Sequence, residues 1–177
     1  MLRRWIAISS TLFLLIILTP YAWANENIIY WDGEGETNRW TDPINWSKNV
    51  IPTYRDHVVL DGRSTKDIEI HEQDHITISS LTVEPDYTGT MIADSPNTFK
   101  INGKLHIKGG RILWRQIRPS KRICFEDDVE IEGGNVEFIG DYKITKSFVW
   151  KNGMVRGKEA NFHIYVNTLR TMDTGSY

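Results

Sequence analysis

The residues that most resemble a reaction centre are His71-Glu72-Gln73-Asp74-His75, a literal H-E-x-x-H. On a helix the two imidazoles would share a face and bind Zn²⁺, with the glutamate placed to activate the bound water. The flanks argue against that helix. Asp67-Ile-Glu-Ile70 and Ile76-Thr-Ile78 alternate with a period of two, so residues 71–75 read as a polar turn between strands. Positions i and i+4 then no longer share a face. Ile76-Thr77-Ile78-Ser79 also lacks the third ligand of the extended motif. The match is expected to be a chance one in an exposed turn, with no catalytic residue, metal or cofactor.

Other residues offer weaker chemistry. The indoles of Trp31, Trp40 and Trp46 could stack on sugar rings, or could cover the apolar end of a repeat stack. Acidic residues gather at Glu126-Asp127-Asp128, Glu130 and Glu132, as a polysaccharide-cleaving site would require. Glu130 and Glu132 alternate with Val129 and Ile131, however, as solvent-facing strand positions do. Asp32, Glu34 and Glu36 stand among glycines without the spacing of an EF-hand loop. Asn45-Trp46-Ser47 is a formal glycosylation sequon. His57, His106 and His163 are isolated in strand-like segments and read as structural or surface residues. Cys124, alone in the chain, reads as a small buried hydrophobe.

The elements that would position these residues are strands. No segment after residue 25 has amphipathic-helix spacing over three turns, whereas short alternating runs such as Val58-Val-Leu60, Leu81-Thr-Val83 and Val129-Glu-Ile131 recur. Gly, Asn, Asp and Pro lie between them, as turns need. Leu105-His-Ile-Lys-Gly-Gly-Arg-Ile-Leu-Trp114 matches Val129-Glu-Ile-Glu-Gly-Gly-Asn-Val-Glu-Phe138 in residue class at a shift of 24, with one exception at Leu113 against Glu137. Phe148-Val-Trp-Lys-Asn-Gly-Met-Val155 follows at a shift of 19, and Phe99-Lys-Ile-Asn-Gly reads as a fragment of an earlier copy.

Such a period fits a β-solenoid, in which stacked coils bury what one coil cannot. The expected inward set is Leu105, Ile107, Ile112, Trp114, Val129, Ile131, Val136 and Phe138. Gly109-Gly110 and Gly133-Gly134 would form stacked corners. The architecture expected is all-β, a short parallel β-helix with an N-terminal cap; a β-sandwich of hairpins is the alternative.

Residues 1–24 have the order of a secretory signal: Arg3 and Arg4, then the apolar run of residues 12–18, Pro20, and Ala22-Trp23-Ala24. Without them the chain carries 19 basic and 23 acidic residues, a net charge of −4. Its scattered Lys and Arg form no basic stripe, which disfavours nucleic acid. The remaining chain suits one domain with a real core. It divides into a Trp-rich cap and first strand (25–62), coils (63–169) and a tail (170–177).

The segment Trp31-Asp-Gly-Glu-Gly, Trp40-Thr-Asp-Pro-Ile-Asn-Trp46, Pro52 and Asp56 resembles the opening of bacterial secreted β-helix proteins, the autotransporter-passenger and adhesin-like group. The likeness continues through Ile78-Ser-Ser-Leu81-Thr-Val and Tyr87-Thr-Gly-Thr90. It implies a right-handed parallel β-helix at the cell surface or outside the cell, and it implies no single activity. The chain is shorter than that group and shows no stretch that would form a membrane barrel, so self-translocation is not expected.

The expected function is that of an exported, non-catalytic protein with a structural, adhesive or ligand-binding role. A carbohydrate-binding or polysaccharide-degrading protein is the alternative. Partners would be a cell-surface glycan or protein, or further copies meeting through the solenoid ends. No membrane association is expected after signal cleavage.

Overall fold

The computed structural model describes residues 27–94, 99–115, 123–125, 127–140, 142–144, 146–158, 164–165 and 168–171. The expected signal at 1–24, Glu126 of the acidic cluster, His163 and most of the 170–177 tail lie outside the described residues.

The strands follow one another as β1 (Asn27–Tyr30), β2 (Asp56–Leu60), β3 (Ile68–Ile70), β4 (Ile76–Ile78), β5 (Ser80–Val83) and β6 (Thr90–Asp94). Next come β7 (Phe99–Ile101), β8 (Leu105–Ile107), β9 (Arg111–Arg115), β10 (Ile123–Phe125), β11 (Val129–Ile131) and β12 (Asn135–Ile139). The series closes with β13 (Tyr142–Ile144), β14 (Ser147–Trp150), β15 (Met154–Lys158), β16 (Ile164–Tyr165) and β17 (Thr168–Thr171). A 3₁₀ turn at Pro43–Asn45 is the helical element among the described residues.

Apart from β1 and β2, the strands pair not with their neighbours in sequence but with strands of the next coil. The first sheet has the order β1-β2-β5-β8-β11-β14-β17, and the second β15-β12-β9-β6-β3. The third wall consists of β4-β7 and β10-β13-β16. Every one of these pairings is parallel, which excludes the hairpin sandwich. The chain is an all-β parallel β-solenoid of about 4 turns.

Register places like residues in columns. Val58, Leu81, Leu105, Val129 and Phe148 stack on the first wall. Met91, Ile112 and Val136 stack on the second. All are at most 3% exposed, and so are the eight residues of the expected inward set. Trp114 and Phe138 lie ring on ring, 5.5 Å apart and 13° from parallel.

The corners explain the glycine pairs. Gly110, Gly134 and Gly153 have φ of +70°, +78° and +88°, the left-handed region that L side chains rarely adopt. A Cβ on Gly134 would also stand 2.5 Å from the Gly109 carbonyl oxygen of the coil before.

One expectation needs correction. Phe99-Lys-Ile is no earlier copy of the Leu105 strand; it pairs with Ile76-Thr-Ile on the third wall. The earlier copy is β5 with β6, which pair with β8 and β9. Its corner, from Val83 to Thr90, is three residues longer than that from Ile107 to Arg111. Tyr87 fills the extra length, buried to 1% exposure, with its hydroxyl donating to the Lys66 carbonyl. That burial pushes the Tyr87 phenol pKa upward.

The cap closes the first end. Residues 38–40 run along β3 through Glu69 N–H to Asn38 O and Trp40 N–H to Glu69 O. Ser47 covers β1 by donating its N–H to Tyr30 O and accepting Tyr30 N–H at its Oγ. Two strand edges that would otherwise be templates for pairing are thus covered.

Candidate functional site

The His71–His75 segment is a turn, as its flanks require. Asp74 builds it: its carboxylate accepts the His71 N–H at 2.8 Å, and the Asp74 N–H donates to His71 O. Arg39, from the cap, donates to both oxygens of Asp74 at 2.7 and 3.0 Å. The same guanidinium lies 2.8 Å from His71 Nδ1, and His71 Nε2 lies 3.1 Å from a Glu69 oxygen. With Arg39 donating to Nδ1, the ring proton sits on Nε2 and points to Glu69. No His71 lone pair is left for a metal. The motif therefore docks the cap to the first coil, and Asp74, at 6% exposure, is its buried member.

Trp31, Trp40 and Trp46 come together, but away from solvent. Each is 0% exposed. Trp46 packs edge-on against Trp31 at 5.0 Å and Trp40 at 4.6 Å between ring centroids, and Trp40 meets Phe99 at 5.2 Å. Trp46 Nε1 donates to Trp40 O, and Trp31 Nε1 to Lys66 O. A glycan platform needs exposed indole faces, whereas these rings plug the open end of the core. Asn45, in the sequon, is buried as well. Its Nδ2 donates to Thr37 O and Arg39 O, and its Oδ1 accepts the Gly35 N–H, so in the folded chain its amide is not presented for glycosylation.

The sequence reading missed what lies on the outward side of the first sheet. There the coil shift aligns Thr82, His106, Glu130 and Val149. His106 is not isolated: its Nε2 is 3.0 Å from Glu132 and 3.8 Å from Glu130. Glu130 also accepts from Lys104 and Lys151, and Lys151 bonds Glu132 at 2.6 Å. Lys108 and Glu84 form another rung at 2.9 Å. The Lys104 and Lys151 ammoniums hold the Glu130 carboxyl down to about 2. Lys151 is correspondingly raised by Glu130 and Glu132. A shift of 24 applied to His106 lands on Glu130, which is the signal that could have found this network.

His106, Glu130 and Glu132 can each aim one ligand atom at a common point, all within 4.8 Å of one another. Two ammoniums already neutralise both carboxylates, so a cation would have to displace Lys104 and Lys151. On the second wall a cleft of about 190 Å³ is lined by Glu69, Ile70, His71, Ile92, Asp94 and Arg115. Arg115 closes one side by a two-bond pair with Asp94 at 2.6 and 2.9 Å. Cys124 sits on β10 opposite Lys143 of the next coil.

Fold and surface together define a capped parallel β-solenoid on which Glu84, Glu130 and Glu132 are paired with lysines from coil to coil. Beyond that class no relationship emerges: no protein family model matches the chain, and no curated protein or solved structure matches it.

Proposed function

We propose that this chain is an exported, non-catalytic β-solenoid with a structural, adhesive or ligand-binding role at the cell surface or outside the cell. The observation that carries the reading is the pairing of Glu130 with Lys104 and Lys151 across three coils. A carboxylate held near 2 is a poor proton donor or acceptor at neutral pH, where general acid–base groups need values near the working pH. It is well suited to stiffening a wall. The order of residues 1–24 supports export, and the Trp-rich opening supports kinship with the secreted adhesin-like group. Flat repetitive walls offer extended contact to a surface glycan or protein. Among the described residues β15 and β17 are the last strands of their sheets, and their backbone groups suit end-to-end association.

Fractionation of expressing bacteria, with N-terminal sequencing and sizing of the recovered chain, tests this. A form beginning at Asn25 outside the cytoplasm is expected. A cytoplasmic chain that keeps residues 1–24 contradicts the proposal.

A further inference from the structure

The cap carries an exposed apolar patch that its packing does not explain. Among the described residues, six large hydrophobic side chains are exposed, and five of them are Ile28, Ile44, Val50, Ile51 and Tyr54. Scattered exposed hydrophobes are ordinary, but a cluster at one end of the molecule marks a contact surface. Connectivity keeps them at that end. Lys48 Nζ donates to Asn27 Oδ1, Asn27 donates to Asp56, and Thr53 donates to Asp56, so the 47–56 loop wraps the start of β1.

The charge of this loop selects the occupant. Lys48 and Arg55 are exposed on this loop, and its one acid, Asp56, is buried at 3% exposure, in a chain whose net charge is −2. The Arg55 guanidinium lies over the Tyr54 ring, 5.1 Å from its centroid. Among the described residues the exposed acids of the cap, Glu34 and Glu36, belong to a different loop, tied to the corner after β2 by Lys66 donating to the Gly33 and Gly35 carbonyls. Aliphatic side chains, a tyrosine and flanking cations suit the boundary of a bilayer with anionic headgroups.

We propose that the cap loop of Val50, Ile51 and Tyr54, with Lys48 and Arg55, docks peripherally on an anionic phospholipid surface. This departs from the expectation of no membrane association after signal cleavage; among the described residues no helix is long and apolar enough to cross a membrane. Peripheral docking needs none.

The test is co-sedimentation of the exported protein with phosphatidylethanolamine–phosphatidylglycerol vesicles, with phosphatidylcholine vesicles as the uncharged control. Expected is salt-sensitive binding to the anionic vesicles, weakened at least about tenfold in Val50→Glu/Ile51→Glu and in Lys48→Glu/Arg55→Glu, with circular dichroism unchanged. Tyr54→Ser, a milder change at an exposed site, should weaken binding in the same direction. Absence of binding overturns the proposal. So does binding that the variants leave unaltered, whatever residue the exported form begins at. A concentration-dependent dimer that Val50→Glu/Ile51→Glu abolishes, without vesicle binding, overturns it in favour of a second copy.

Discussion

Arg39 reaches out of the cap to grip both carboxylate oxygens of Asp74, at 2.7 and 3.0 Å, while Asp74 also caps the His71 N–H. Two elements that are 35 residues apart in sequence are joined by one carboxylate. Removing it leaves a partly buried guanidinium and an amide without their acceptor. Asp74→Ala should therefore cost about 2–4 kcal/mol in chemical denaturation. His75→Ala, at an exposed position, should stay within about 0.5 kcal/mol. A zinc centre would reverse that ranking.

The corners make a second prediction. Gly134→Ala meets both a φ of +78° and a carbonyl 2.5 Å from the new Cβ, so the backbone of two coils must shift. A loss of about 2–3 kcal/mol is expected, read as a lower denaturation midpoint.

The indole plug makes a third. Trp40→Ala or Trp46→Ala opens a cavity under the cap and should cost about 3–5 kcal/mol, with loss of the near-ultraviolet signal of the edge-on ring pairs. Addition of oligosaccharides should leave the emission of these buried rings unchanged. Quenching that saturates with a sugar would show that the rings are accessible after all.

Acid stability follows from Glu130. Its pKa in the folded chain is depressed, to about 2, so the unfolded chain binds the extra proton first as pH falls. The stabilisation is complete above the ordinary carboxylate value near about 4.3 and fades as pH drops from there towards the folded value. Glu130→Gln should lose about 1 kcal/mol at pH 7 and show a flatter stability profile between those limits. Thermal unfolding across the acid range checks the slope.

Much of the core was legible because Leu105 to Trp114 and Val129 to Phe138 share both length and glycine corner, so one shift named eight inward residues. The coil before them was hidden by the three residues that house Tyr87, which break the constant spacing while leaving the pairing of Leu81 with Leu105 intact. Phe99-Lys-Ile misled because third-wall strands share the same apolar alternation as the first wall. The role of Asp74 was invisible for another reason: its partner, Arg39, lies in a segment with no periodicity. The Glu130 network needed the coil shift to be applied to polar residues as well as apolar ones.

The central claim is that coils stack in parallel with Thr82 beside His106. Neighbouring strands stand about 4.8 Å apart, within disulfide reach, whereas a diagonal neighbour lies beyond the limit of about 7 Å. In a Cys124→Ser background, Thr82→Cys/His106→Cys should oxidise to an intramolecular disulfide, and Thr82→Cys/Lys108→Cys should not. Failure of the registered pair to close, or equal closure of the offset pair, would contradict the stacked-coil account.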